Sequence, residues 1–195
     1  MVHTKRKKGS VVMVLGKTMN IKRRYNLAKY FNELGFKVGA EIGVADGRFS
    51  KDLCKAIPGL KLFCVDPWDI SKGNSRGGSK ERHSGNYELA KERLASYKVT
   101  FIKKVSMDAV LGFEDEALDF VYIDANHDFD FVMQDIIEWS KKVKKGGIVS
   151  GHDYYNFRNS GVIEAVDIYV KVHGLKLNLT DKAVDHGEVS WWFVK

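Results

Sequence analysis

Two short stretches hold the side chains best suited to chemistry. LDFVYIDANH runs from Leu118 to His127, and GGIVSGHDYY from Gly146 to Tyr155. Each is an apolar run that stops at a carboxylate, Asp124 or Asp153, with a histidine close by, His127 or His152. If the two runs are neighbouring strands, the carboxylates converge on one point, which suits a hard cation with oxygen ligands, most naturally Mg2+. His127 is the candidate general base, because an imidazole titrates near neutral pH. His152 stays open between three roles: a metal ligand with Asp124 and Asp153, a hydrogen-bond partner of Asp124, or a core histidine.

A second set lies earlier, in GAEIGVADGRFS from Gly39 to Ser50. An apolar run feeds a glycine-bracketed turn and then a helix start, so the turn falls at the carboxyl end of a strand, where open parallel sheets bind ligands. A dinucleotide site would show GxGxxG and offer a helix N-terminus to a pyrophosphate. Here the middle glycine is missing, and Glu41 and Asp46 place two carboxylates beside the turn. Such charges oppose a pyrophosphate and suit a ligand carrying an ammonium and a sulfonium. Gly43 and Gly47 permit close backbone approach. Asp66 ends the next apolar run, where a carboxylate can accept hydrogen bonds from ribose hydroxyls, and the pair of features points to a nucleoside site.

The elements that must hold these residues follow from periodicity. Helices are expected at 21–34, 46–57, 86–97, 107–111, 129–143 and 161–173, and Ser106 is placed to cap the short fourth one. Strands are expected at 38–42, 62–65, 99–105, 118–123, 148–150, 175–179 and 189–195. The strand 118–123 is apolar except at Asp119 and so reads as buried on both faces. Five strands alternating with helices and then two consecutive strands predict an α/β fold: a doubly wound, mostly parallel seven-stranded sheet whose last strand runs antiparallel. Residues 67–85 lose periodicity and read as a loop or lid insertion.

At 195 residues the chain suits one domain, expected over residues 11–195 behind a basic tail at 1–10. Lys5, Arg6, Lys7 and Lys8 carry four of the seven net positive charges, which leaves three for the rest. This tail reads as a solvated arm, with contact to nucleic acid or an anionic surface the less favoured alternative. No apolar run approaches the roughly 20 residues that span a bilayer, and no secretory leader is visible, so a soluble cytoplasmic protein is expected. Cys54 and Cys64 fit no zinc spacing and read as buried thiols. Oligomeric state leaves no mark in the sequence.

Taken in order, ExGxxxG from Glu41 to Gly47, Asp66, SMDA from Ser106, FVYIDANH and GGIVSGHDYY resemble the class I S-adenosylmethionine-dependent methyltransferases, with their Rossmann-like fold. More narrowly they resemble small bacterial and phage enzymes of the methyltransferase domain 24 type, related to macrolide-sugar O-methyltransferases. The resemblance runs from about residue 36 to the last residue. It implies that Glu41, Gly43 and Gly47 line the methionine end of S-adenosylmethionine, that Asp66 meets the ribose, and that Trp68 covers the adenosine unless it is a core or lid aromatic. It further implies that Ser106 and Met107 surround the adenine, that Asp124 lies where the methyl group is presented, and that His127 is the catalytic histidine of O-methylation on a small-molecule hydroxyl. Two departures bear on the metal: Ala125 stands where glycine is usual, and His152 where an acidic residue is usual. The [N/D]PP[Y/F] motif of base-amine methylation is replaced by DANH, which disfavours base methylation and leaves 2′-hydroxyl methylation of RNA as the alternative, beside a non-catalytic protein that keeps the fold.

Overall fold

The computed structural model describes residues 10–14, 17–68, 80–156, 160–181 and 189–195. Residues 1–9 of the expected basic tail and most of the expected loop 67–85 lie outside them. In chain order the elements are β1 (Ser10–Val14), β2 (Lys17–Ile21), α1 (Arg24–Glu33), β3 (Val38–Ile42), α2 (Arg48–Ala56), β4 (Lys61–Val65), α3 (Lys80–Leu94), β5 (Val99–Ile102), α4 (Ser106–Val110), β6 (Leu118–Ile123), α5 (Phe129–Lys142), β7 (Val143–Gly151), α6 (Val162–Val172), β8 (Asn178–Leu179) and β9 (Trp191–Val194).

The main sheet has seven strands in the order β5-β4-β3-β6-β7-β9-β8. Strands β3 to β7 pair in parallel, and β9 pairs antiparallel with both β7 and β8. The expected doubly wound sheet with an antiparallel last strand is therefore the observed one. Its physical cause is the alternation along strands such as β6. Phe120 and Tyr122 join the core under α1, α2 and α3, while Leu118, Val121 and Ile123 join the core under α4, α5 and α6. Both faces are covered, so the strand reads as a continuous apolar run.

Several boundaries differ from the sequence reading. The chain forms an antiparallel pair of strands, β1 and β2, with Ser10 opposite Ile21. It is tied to the far edge of the main sheet: the Leu179 amide donates to Ser10 Oγ (2.9 Å) and the Asp181 amide to the Lys22 carbonyl (3.0 Å). Those partners lie some 160 residues away in sequence, which is why no local pattern announced the pair. Helix α3 starts at Lys80, inside the expected loop, and carries Gly85 in its interior, where the sequence pattern had suggested a break. Strand β7 starts at Val143 and runs through Gly146 and Gly147, with a register irregularity opposite Leu118–Phe120, instead of starting after those glycines. Val105, not Ser106, is the N-cap of α4.

Candidate active site

The carboxyl ends of β3, β6 and β7 lie side by side. The Asp124 amide donates to the Ile42 carbonyl (2.7 Å) and the His152 amide to the Ile123 carbonyl (3.0 Å), so the first residues beyond each strand are in register. Gly43 sits against the next strand end with φ +89°, and a Cβ there would overlap the Asp124 carbonyl. Its lack of a side chain is thus required by the neighbouring backbone, in addition to any ligand. Gly47, also left-handed, faces Ala90 and Leu94 of α3.

The four residues expected to do chemistry come together. His127 Nε2 is 3.0 Å from Asp153 Oδ2 and 3.6 Å from Asp124 Oδ1, while His152 Nδ1 is 3.1 Å from Asp153 Oδ1 and 3.7 Å from Asp124 Oδ2. The carboxylates of Asp124 and Asp153 outweigh burial and push His127 up to about 10. Burial opposes a charge on His152, but Asp153 and Asp124 prevail and raise it as well. Burial likewise works against the Asp153 carboxylate, and hydrogen bonds from the two histidines overcome it, holding that group well below the usual carboxylate range. Asp153 adopts a left-handed backbone (φ 57°), a strained conformation of the kind that clusters at functional sites. Asp124, His152 and Asp153 each offer a ligand atom, all within 4.8 Å of one another, a spacing that admits one divalent cation. The donor chemistry is mixed, two hard oxygens and an imidazole nitrogen, so it fits Mg2+ less well than an all-carboxylate set and also suits a first-row transition metal.

On the other side of Gly43 the structure changes the electrostatic argument drawn from sequence. Glu41 is 2% exposed, accepts a hydrogen bond from Ser50 Oγ, and is pushed up to about 8 by burial. It is mostly neutral at pH 7. Asp46 is paired with Arg48 (2.9 Å) and with Arg93 (3.2 Å) from α3, whose guanidinium also donates to the Asp46 carbonyl. Neither carboxylate presents a free negative charge to the turn, and Asp46 is not the helix cap either, since Gly47 holds that position. Burial and the arrival of Arg93 from 47 residues away are tertiary facts that the spacing of Glu41 and Asp46 did not contain.

Asp66 Oδ2 accepts the amides of Val44 (2.9 Å) and Ala45 (3.0 Å), and Oδ1 the amide of Trp68 (2.7 Å). Three of the roughly four acceptor positions of a carboxylate are therefore occupied, which leaves room for one more donor. Trp68 is 3% exposed and packed on Tyr87 and Phe101. Ser106 Oγ donates to Asp135 and accepts the Trp139 indole N–H (2.8 Å), so its hydroxyl is engaged within the fold. Met107 is half-buried against the same core.

One residue near the site escaped the sequence reading. Arg24, the first residue of α1, lies with its guanidinium carbon 5.2 Å from the Phe49 ring centre, and its charge is felt at Glu41, Tyr122 and His152.

Residues 40–154 match the family Methyltransf_24, described as a methyltransferase domain, over more than half of the chain. The chain belongs to this methyltransferase family. It is an S-adenosylmethionine-dependent methyltransferase, and the matched segment runs from β3 to Tyr154, taking in both halves of the site. Among solved structures the chain is similar to one described as a caffeoyl-CoA O-methyltransferase from Staphylococcus aureus (17% identity, TM-score 0.64, covering 88% of this chain and 83% of that one). It is also similar to the O-methyltransferase TomG from Streptomyces achromogenes, of tomaymycin synthesis, in complex with S-adenosylmethionine (17%, TM-score 0.60, 88% and 77%). The N-methyltransferase NodS from Bradyrhizobium japonicum is similar too (14%, TM-score 0.60, 88% and 94%). At these identities the likeness is one of fold, and acceptors of both oxygen and nitrogen type occur on it. No curated protein matches the chain in sequence. Among the described residues no helix is long and apolar enough to cross a membrane.

Proposed function

We propose that this methyltransferase transfers a methyl group to the hydroxyl of a small molecule, with His127 as general base and Asp124 and Asp153 aligning the acceptor. The observation that carries the reading is that Gly43 abuts the Asp124 carbonyl. The turn assigned to the methyl donor and the histidine–carboxylate cluster assigned to the acceptor therefore share a wall. Two of the similar structures are described as O-methyltransferases, which supports an oxygen acceptor of small-molecule type.

S-adenosylmethionine, when bound, supplies an activated methyl group on a sulfonium, so the protein need only position the nucleophile and remove its proton. Gly43 and Gly47 give the turn its close approach, and Asp66 retains one acceptor position beyond the three amides it holds. The His127 side chain is 36% exposed, the most open member of the cluster, while its Nε2 is buried against Asp153. The two carboxylates hold its imidazole protonated at neutral pH, so it accepts a proton only where their negative charge is offset. A divalent cation, held by Asp124, His152 and Asp153, would polarise the acceptor oxygen and supply that offset.

Titration calorimetry with S-adenosylhomocysteine tests the donor side: saturable one-site binding is expected, and absence of binding overturns the reading. For the acceptor side, a panel of hydroxylated small molecules is screened with isotopically labelled methyl donor, with and without Mg2+ or Mn2+. His127→Ala is expected to lower turnover by about 10² to 10⁴ with S-adenosylhomocysteine affinity retained. Unchanged turnover removes His127 as the base.

A further inference from the structure

We propose that Trp68 is a positioning residue that clamps the cofactor turn from behind, through a hydrogen bond to the Ala45 carbonyl; this rests on the reading of residues 43–47 as that turn.

The turn is sterically demanding. Gly43 and Gly47 are left-handed, and so is Ala45 between them (φ 48°), a conformation an L-residue with a side chain rarely adopts. Trp68 is itself left-handed (φ 44°). Two such residues in contact persist only where the surroundings over-determine them. Here both ends of Ala45 are held. Its N–H donates to Asp66 Oδ2 (3.0 Å), and its carbonyl accepts the Trp68 indole N–H (2.8 Å). The Trp68 amide returns to Asp66 Oδ1 (2.7 Å), which closes a ring of hydrogen bonds between the turn and the end of β4. The indole is fixed in turn by Tyr87 of α3 (ring centres 4.9 Å apart) and Phe101 of β5 (6.0 Å).

A buried tryptophan needs a partner for its single donor, and here that partner is the Ala45 carbonyl of the turn, reached from a backbone in the left-handed region. The arrangement fixes the backbone of the turn before a ligand arrives, so binding does not have to order it. Asp66 holds the amide side of Ala45 and the Gly47 N–H closes the turn onto the Val44 carbonyl (2.9 Å), so the Trp68 indole adds the hold on the Ala45 carbonyl itself.

The experiment uses the full chain. Trp68→Phe keeps an aromatic ring and deletes the N–H donor. It is expected to weaken S-adenosylhomocysteine binding about three- to tenfold, the scale of one lost hydrogen bond, and to speed hydrogen exchange at the Val44 and Ala45 amides by a similar factor. Adding Ala45→Gly, which makes φ 48° unstrained, is expected to restore most of the affinity. Should Trp68→Phe fail to fold, β-(3-benzothienyl)alanine at position 68 keeps the bicyclic ring without the N–H, and the same readings apply. A folded variant with wild-type affinity and wild-type exchange overturns the clamp. So does an affinity loss that Ala45→Gly leaves unrepaired, which would make Trp68 a packing residue only. If the wild-type chain binds no S-adenosylhomocysteine, the cofactor reading and the clamp's stated purpose fall together, while amide exchange still shows whether the hydrogen bond rigidifies the turn.

Discussion

Replacing Glu41 by Gln is expected to flatten the dependence of stability on pH, by an amount set by the burial of that one side chain. Burial pushes the carboxyl from its ordinary value near 4.5 up to about 8, opposed by the hydrogen bond from Ser50 and reinforced by the charge of Asp124. The unfolded chain ionises the group near 4.5, whereas the folded chain keeps its proton until about 8. The contribution to stability is therefore fully present below the lower value and lost progressively as pH rises through the folded one. Over that interval it amounts to about 5 kcal/mol, at about 1.36 kcal/mol per pH unit. Gln matches the size of Glu, keeps an oxygen to accept from Ser50, and has nothing to titrate. Urea unfolding of both proteins across this range should show the variant gaining on the wild type by roughly 5 kcal/mol, with other titrating groups largely cancelling in the difference. A difference that stays constant with pH would refute the picture of a neutral buried carboxyl. A gap that closes in favour of the wild type at high pH would mean that Glu41 is held as a carboxylate.

The same reasoning applies to Asp135, which burial pushes up to about 6 against the hydrogen bond from Ser106. Its favourable contribution is present below the ordinary value of 3.8 and lost as pH rises through about 6, so Asp135→Asn should gain about 3 kcal/mol on the wild type between those limits in urea unfolding. Gly43→Ala combines a left-handed backbone with overlap on the Asp124 carbonyl and is expected to lower unfolding stability by about 3 kcal/mol or more. Gly59→Ala, also left-handed but with nothing within 4 Å of the new methyl group, should cost only about 1 to 2 kcal/mol. Asp153→Asn removes the carboxylate nearest to both histidines, and NMR titration should find His127 well below its value of about 10 in the wild type.

What the sequence could reveal followed the reach of local rules. Strands β3 and β6 have the expected bounds, 38–42 and 118–123, because each is an apolar run closed by a turn or a carboxylate. Asp124, His127, His152 and Asp153 were legible as a set because parallel strands deliver their carboxyl ends to one edge, and that rule needs only the order of elements. The states of these residues were not legible. Glu41 became neutral, Asp46 was claimed by Arg93, and Ser106 turned inward to Asp135, each through partners that arrive from distant elements. Trp68 follows Asp66 by two positions, close enough to suggest a shared role, yet nothing local shows that its indole N–H meets the turn from within the core. The β1–β2 pair was missed for a similar reason: its anchors are on residues 179 and 181.

Strand β9 comes last in the chain but is seated between β7 and β8, with Trp191, Trp192 and Phe193 buried. Synthesis proceeds from the N-terminus, so a nascent chain that already contains β8 has no neighbour for it in the sheet. Nor is the anchor of the β1–β2 pair on Leu179 and Asp181 in place, because the segment carrying it is not yet docked. The edge formed by β3, β6 and β7, which carries the candidate site, can assemble early, while the seam that closes the sheet must wait for residues 191–194 to leave the ribosome. Until then β7 presents an unpaired edge and its covering aromatics are absent, which is the interval in which the chain is most exposed to misassociation with its own copies.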